Sequence, residues 1–478
     1  MADSLKDKTV KGVAWSAVER FSVAGIGFAF GLVLARLLDP EDYGVIAMLN
    51  IFMAISQTFI DSGFSNALIR KPDRTEADNA TAFYFNIVVG VVCYLLLFLS
   101  APWIAAFYHS PILVPITRVI GLNLLFNSLC VVQQALLTAR IDFKTQAEVS
   151  LAATILSGIV GVAMAYGGYG VWALAVQTVL GGFLRMVLLW WMARWRPRAP
   201  FSRASFRSLF SFGSKLLASG LLDTVYNNLY TIVIGKKFSA VSLGVYARAE
   251  QWAQFPSANI TGVLQRVTFP VLSTMQTEDD RLRVNYRKFL RLSAYVVFPL
   301  MMFLLATADP LIRWVLTDKW AASVPYLRVL CFSLMWYPIH SINLNLLQVK
   351  GRSDLFLRLE VWKKLIGVAT LCVTVPMGLL AMCYGRVFTS LVSLAINTYY
   401  TGRLIEVGFW RQMRDLWPIL VNCTVMTVLC LAVQLPVTGQ NGLQLMAAMA
   451  VGAAYYAGSS WLLRSPELKE LLALLKRK

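Results

Sequence analysis

The chain has 478 residues, of which 58% are hydrophobic and 14% are charged, and its formal net charge is +19. Soluble domains carry about 25% charged residues, so this composition excludes an ordinary soluble enzyme. The basic excess does not indicate nucleic-acid binding, because Lys and Arg lie in short loops beside apolar stretches rather than on one soluble face. The loop cations are instead expected to contact anionic membrane lipids.

Apolar stretches long enough to cross a bilayer as helices recur along the whole chain. In lipid, each crossing must satisfy its own backbone hydrogen bonds, so the predicted fold class is an all-α polytopic membrane protein. We predict about 14 transmembrane helices, at roughly residues 10–37, 43–69, 80–106, 112–138, 146–166, 170–193, 210–235, 241–268, 288–307, 322–347, 355–375, 379–402, 416–434 and 441–463.

Basic loops alternate with nearly neutral ones between these stretches. The longest basic loop carries five arginines within residues 194–207, and the C-terminal tail is also basic. Positive loops stay on the cytoplasmic side, so both termini are predicted to be cytoplasmic. Lys236 and Lys237 are the pair of cations that goes against this rule.

A short motif occurs twice, 200 residues apart. In residues 36–45 and again in 236–245, a cation is followed by seven residues and then by Gly-Val. Because six is an even number of crossings, two six-helix halves would enter from the same face and be related by a pseudo-two-fold axis along the membrane normal. We therefore predict an N-terminal lobe, a basic cytoplasmic linker, a C-terminal lobe, two extra transmembrane helices and a cytoplasmic amphipathic tail, at 1–194, 195–209, 210–405, 406–464 and 465–478.

Charged and amide side chains inside predicted spans are costly in hydrocarbon, so they usually face a cavity or a partner. Cations outnumber acids among them, which predicts a wet, cationic central cavity lined by spans one, two, seven and eight. Arg and Lys suit phosphate and amides suit hydroxyls, so the cavity would take an anionic, sugar-bearing substrate. The alternative is that these residues hold helices together. The candidate cavity residues are Arg20, Asp61, Arg118, Asn123, Asn127, Lys215, Asp223, Asn227, Arg248, Gln251, Arg266 and Arg328.

Motifs for catalysis and metal binding are missing from the sequence. There is no Walker lysine loop, no Rossmann glycine run after a strand and no GxSxG elbow. The seven cysteines are scattered and there are only two histidines, so a metal site is not expected. We therefore expect a protein that is not an enzyme and that has no catalytic residues and no bound cofactor.

Several stretches together resemble the polysaccharide transporter family, the Wzx-type flippases, and within it the colanic-acid-type branch. The resemblance covers most of the chain and is weakest in the last two predicted spans. The stretches that carry it are Thr9-Val-Lys-Gly-Val-Ala-Trp-Ser16, Leu34-Ala-Arg-Leu-Leu-Asp-Pro-Glu-Asp-Tyr-Gly44, Asp61-Ser-Gly-Phe-Ser-Asn-Ala-Leu-Ile-Arg70, Gly167-Gly-Tyr-Gly-Val-Trp-Ala-Leu174 and Arg266-Val-Thr-Phe-Pro-Val-Leu272.

The resemblance implies the fold of the multidrug/oligosaccharidyl-lipid/polysaccharide exporter superfamily, with two six-helix lobes. It implies flipping of an undecaprenyl-diphosphate-linked oligosaccharide across the bacterial inner membrane by alternating access, coupled to an ion gradient or to the membrane potential. The expected partners are the lipid-linked oligosaccharide, membrane lipids, a polysaccharide polymerase and chain-length proteins. The family has no catalytic motif to carry over, so the candidate residues depend on the burial argument above.

Two other functions are weighed against this one. A small-molecule antiporter of the MATE type would favour acidic sites in an apolar cavity, whereas here intramembrane cations outnumber acids. A membrane enzyme of glycan assembly, such as a polymerase or ligase, would be expected to carry a long periplasmic loop, and the predicted loops are short.

Overall fold

The computed structural model describes residues 2–61, 64–71, 73–437 and 439–470, without the side chains of 2–14, 16–18, 20, 70, 212 and 215. Over these residues the chain is helical and contains no β-strand. The predicted all-α fold class is therefore confirmed for the described residues.

Eighteen α-helices and two short 3-10 helices, Asp318–Ser323 and Val375–Met377, lie between Ala2 and Leu462, and a further helix begins at Pro466. The α-helices are α1 (Ala2–Leu37), α2 (Pro40–Asp61), α3 (Phe64–Arg70), α4 (Glu76–Tyr108), α5 (Leu113–Ser128), α6 (Val131–Ala139), α7 (Phe143–Tyr166), α8 (Val171–Ala193), α9 (Arg203–Lys237), α10 (Ala240–Ser273), α11 (Asp279–Ala306), α12 (Ala308–Leu316), α13 (Val324–Leu334), α14 (Tyr337–Val349), α15 (Ser353–Thr374), α16 (Leu379–Ile405), α17 (Phe409–Gln434) and α18 (Asn441–Leu462).

Local sequence explains several of the helix starts. The Thr75 side chain accepts a hydrogen bond from the backbone of Asp78, whose carboxylate accepts one from the Thr75 backbone, so α4 begins with a capping box. Asp142 and Ser202 cap the starts of α7 and α9. The side chain of each accepts a hydrogen bond from a backbone N–H in the first turn of its helix. The turn before α8 passes through Gly170 at φ +53°, a conformation that glycine adopts without strain.

Seven helices of the described chain are long and apolar enough to cross a membrane, or eight if the bent pair α5 and α6 counts as one span. Together they make the protein a multi-pass membrane protein. The long helices α9 and α10 do not pass the same test of length and hydropathy. Both carry several charged and amide residues, which lower their hydropathy.

Where the structure describes them, the fourteen stretches predicted from the sequence lie on helix, but two of them are broken. Residues 112–138 fall on α5 and α6, and 322–347 fall on α13 and α14. Stretch 43–69 falls on α2 and α3, with 62–63 outside the described residues. At the break between α5 and α6 the axes bend by 40°. The indole N–H of Trp190 donates to the carbonyl oxygen of Leu129 at 3.0 Å, which satisfies a backbone group that the bend removes from the helix ladder.

The chain divides into two compact units, Met1–Gly244 and Val245–Lys478. This division falls within α10, whereas the lobes were predicted to end at residue 194 and begin at residue 210; the predicted lobe boundaries stay a prediction. In the first unit, α7 packs against α1 and α8, α4 packs against α5, and α9 packs against α2, α3 and α4. In the second unit, α11 packs against α13, α14 and α17, and α18 packs against α17 and α12.

Each unit has its own buried interior. In the first, Phe64, Leu68 and Phe83 are buried together with Val132 and Leu136 of α6. In the second, the largest fully buried side chains include Trp320, Tyr286 and Phe298, and an amide network links α14, α16 and α17.

The C-terminal tail was predicted to form an amphipathic helix on the inner membrane surface. A helix does begin at Pro466, directly after Ser465. Glu467 and Glu470 of this helix pair with Arg291 and Lys288 of α11, at 3.4 and 3.0 Å. The part of the predicted apolar face beyond residue 470 lies outside the described residues.

Candidate functional site

A polar cavity of about 370 Å³ lies in the first unit, beside the break between α5 and α6. Asn127 lies in the last turn of α5 and Val131 begins α6, so the two helix ends of this bent span meet at the cavity. Val131 is the one apolar side chain among the residues that line it in the described chain. Discontinuous helices of this kind form substrate and ion sites in membrane transporters. The polar cavity is lined by Gln57, Asp61, Ser65, Asn127, Val131, Gln134 and Arg185.

A chain of hydrogen bonds fixes the side chains on one wall of the polar cavity. The Asn127 amide N–H donates to Gln57 Oε1 at 3.0 Å, and Gln57 Nε2 donates to Asp61 Oδ1, also at 3.0 Å. Gln57 and Asp61 are four residues apart on α2, which places them on one face of the helix. Two candidate residues, Asp61 and Asn127, are therefore brought together through Gln57.

One carboxylate and one guanidinium face this space. Arg185 of α8 interacts electrostatically with Asp61, so the lining carries no net charge. The amides and the Ser65 hydroxyl can each donate and accept hydrogen bonds. A cluster of three or more His, Cys, Asp or Glu side chains that could hold a metal ion is absent from the part of the chain that the structure describes. This arrangement is suited to a polar ligand.

The other two candidates on α5 point away from the polar cavity. Asn123 packs on Gly182 of α8, where its side-chain oxygen occupies the space that a Cβ would need. The Arg118 guanidinium lies 4.3 Å from the centre of the Phe98 ring. In this structure Asn123 is thus a helix-packing residue, and Arg118 makes a cation–π contact with α4.

The candidates on α1 and α9 are less closely defined. The side chains of Arg20 and Lys215 lie outside the described residues. Asp223 and Asn227 occupy neighbouring turns of α9, and both are exposed in the protein. The central cavity predicted between spans one, two, seven and eight stays a prediction.

In the second unit, Arg248 and Gln251 are brought together. Arg248 is only 4% exposed, and its guanidinium donates to Gln251 Oε1 at 2.8 Å. It also lies 5.2 Å from the ring centre of the buried Trp320. Arg266 of α10 is exposed, and Arg328 of α13 is partly buried.

The list of candidates derived from the sequence omits one charged cluster of the second unit. Arg386 of α16 donates to Tyr246 Oη at 2.6 Å and pairs with the Glu250 carboxylate. Tyr246 is fully buried. A signal was available, since Arg386 lies inside predicted span 379–402, but the sequence does not show that Glu250 is its partner.

Two further polar groups of the second unit have partners that give them structural roles. Lys363 pairs with Glu360 within α15, as a local pair one helical turn apart. The His340 ring makes hydrogen bonds with Ser390 at 3.0 Å and with Asn397 at 3.4 Å, as expected for a satisfied histidine.

Comparison with known proteins identifies the family to which this chain is similar. Residues 33–325 match the family described as polysaccharide biosynthesis protein. The teichuronic acid biosynthesis protein TuaB of Bacillus subtilis (strain 168) is 26% identical over 460 residues, which cover 95% of each chain. The lipopolysaccharide biosynthesis protein WzxC of Escherichia coli (strain K12) is 24% identical over 422 residues, covering 87% of this chain and 85% of that protein.

The fold is also similar to that of a solved structure. The lipid II flippase MurJ in its inward closed conformation aligns with a TM-score of 0.77 at 11% identity, over 94% of this chain and 98% of that one. This likeness concerns the fold. Because the family match spans more than half of the residues, the chain belongs to the polysaccharide biosynthesis protein family.

Proposed function

We propose that this protein is a transporter that flips an undecaprenyl-diphosphate-linked oligosaccharide from the cytoplasmic to the periplasmic leaflet of the bacterial inner membrane. The observation that carries the proposal is the combination of family and fold. The family is one of polysaccharide biosynthesis, and nearly the whole chain aligns with the fold of the lipid II flippase MurJ.

The physical task explains why such a fold suits this substrate. A diphosphate and several sugars must pass the hydrocarbon core while the lipid tail stays in the bilayer. A charged group at mid-bilayer costs at least about 2.5–3.5 kcal/mol, so the headgroup needs a polar path through protein. The polar cavity of the first unit lies among helices of membrane-spanning length, and its lining is almost entirely polar.

The finer architecture belongs to the same proposal. It comprises about 14 transmembrane helices, two six-helix lobes related by a pseudo-two-fold axis, and alternating access to a cationic central cavity between them. Both termini would be cytoplasmic, and an ion gradient or the membrane potential would drive the cycle. A polymerase and chain-length proteins would take over the exported unit. The protein acts as a transporter and not as an enzyme.

Deletion of the gene followed by leaflet-specific labelling of the lipid-linked glycan tests the proposal. We expect the glycan to accumulate on the cytoplasmic leaflet and surface polysaccharide to be lost, and both to be restored by the wild-type gene. An unchanged leaflet distribution in the deletion strain would refute the flippase function.

Among the candidate cations, Arg266 gives the sharper test of the central cavity. Its side chain is exposed, whereas Arg248 is buried against Trp320 and contributes to packing. Arg266→Ala is expected to abolish export while the protein still inserts and is produced at the wild-type level. Full export by this variant would remove Arg266 from the cavity assignment.

A further inference from the structure

We infer that the polar cavity of the first unit is a subsite for sugar rings, which binds the glycan of the substrate and not its diphosphate. The inference rests on the proposed function and adds to it the part of the substrate that this site binds. It is carried by the charge balance, the unused hydrogen-bonding groups and the size of the cavity.

The charge of the lining favours a neutral ligand. Asp61 and Arg185 offset one another, and the remaining polar lining groups are amides and a hydroxyl. A diphosphate placed here would gain one guanidinium but would also meet the Asp61 carboxylate, which repels it. Sugar hydroxyls carry no charge, and they can donate to a carboxylate while accepting from a guanidinium.

Several groups in the polar cavity are oriented and still available. Gln57 is held between Asn127 and Asp61, which fixes which end of its amide faces the carboxylate. Within the described chain, no hydrogen bond joins the side chain of Gln134 or Arg185 to another residue. Both side chains line the cavity and are only partly buried, so their polar groups are available to a ligand or to water.

The size and lining of the cavity exclude the lipid tail. A volume of about 370 Å³ is within the range of small-molecule sites. Val131 is the single apolar contributor in the described lining, so a polyprenyl chain would bury its carbons against polar groups. A sugar ring, with hydroxyls around its edge, can form hydrogen bonds with both the donors and the acceptors of this lining.

The test uses the purified full-length protein in nanodiscs. Binding is measured for farnesyl diphosphate and for farnesyl diphosphate carrying one hexose, N-acetylhexosamine or deoxyhexose. We expect at least one sugar head to tighten wild-type binding tenfold or more over farnesyl diphosphate. In Asp61→Asn and Gln134→Ser this gain should fall to within about twofold, and neither variant should bind farnesyl diphosphate more weakly than wild type does.

Thr58→Val is the matched control. Thr58 is next to Gln57 on α2, but its hydroxyl contacts Thr224 of α9 at 3.0 Å rather than the polar cavity, so the sugar gain should persist in this variant. The melting temperature of each variant shows whether it is folded. Because Asp61 and Gln134 lie on different helices, one variant still tests the inference if the other does not fold.

Three results would overturn the inference. If the sugar gain persists in both variants, the sugar binds elsewhere in the protein. If both variants bind farnesyl diphosphate more weakly than wild type, the cavity binds phosphate. Absence of any sugar gain in wild type refutes the subsite while leaving the flippase function intact. Failure of wild type to bind any of the four lipids contradicts the proposed function itself.

Discussion

Gly44 and Gly244 each lie against the first residue of the other's helix. A Cβ added at Gly44 would overlap the carbonyl oxygen of Ala240, and one added at Gly244 would overlap that of Pro40. Both glycines are the fifth residue of their helices, α2 and α10, and their numbers differ by 200. The two helix starts thus approach at backbone distance, in a reciprocal way, at the point where the sequence motif repeats.

This approach predicts that Gly44 tolerates no side chain. Gly44→Ala should destabilise the protein by about 1–3 kcal/mol or more, because backbone atoms cannot move aside as a flexible side chain would. The measurement is the thermal unfolding of the detergent-purified variant. Gly25→Ala in α1 is the control: nothing lies within 4 Å of its added Cβ, so an unchanged or higher melting temperature is expected. A Gly44→Ala protein as stable as wild type would contradict the close approach.

The Arg386 and Glu250 pair should be energetically coupled. In a double-mutant cycle of Glu250→Gln and Arg386→Gln, a coupling free energy of about 0.5–3 kcal/mol is expected, because the two groups are in contact. The double variant should lose less stability than the sum of the losses of the two single variants. The exposed pair Lys144 and Glu148 of α7 is the comparison, and its coupling should be smaller. A coupling free energy near zero for Arg386 and Glu250 would show that the two groups act independently.

Lys236, in the last turn of α9, caps the C-terminal end of α4, which gives a structural role to a cation that goes against the charge pattern of the loops. Its Nζ donates to the carbonyl oxygen of Phe107 at 2.6 Å and lies 4.7 Å from the ring centre of the same residue. A cation is favourable at a helix C-terminus, so Lys236→Met should cost about 0.3–2 kcal/mol of stability. Chemical or thermal unfolding of the two variants Lys236→Met and Lys237→Met makes the comparison. Because the Lys237 side chain is exposed, the second variant should stay near wild type, and equal losses would disprove the cap.

The buried amide network of the second unit should be sensitive to the loss of one member. Gln412 exchanges hydrogen bonds with Asn343 at 3.1 Å each and also donates to Thr401 at 3.0 Å. Gln412→Leu leaves buried partners unsatisfied, which costs about 1–3 kcal/mol. Asn259→Leu is the matched control, since among the residues that the structure describes the amide of Asn259 bonds only the carbonyl oxygen of Phe255 in its own helix. If the two variants unfold at the same temperature, the network does not stabilise the fold.

Two of the candidate residues, Asp61 and Asn127, line the polar cavity. Asp61 and Asn127 stand out in the sequence because each interrupts an apolar stretch, and polar groups in such stretches need a partner. The sequence could not predict that Gln57 connects these two residues. Nor could it predict that Arg185, more than a hundred residues after Asp61, lines the same cavity. Asn123 shows the limit: it is one turn from Asn127 and of the same residue type, yet it packs on Gly182.

The sequence by itself determined that the chain is helical and where its apolar stretches lie, because every segment in lipid must satisfy its backbone hydrogen bonds locally and needs a set length to do so. The tertiary structure decided where helices break and which polar side chains meet. Those outcomes depend on how each helix is rotated against neighbours from distant parts of the chain. Hydropathy along the sequence carries little information about that rotation when helices are apolar on most sides.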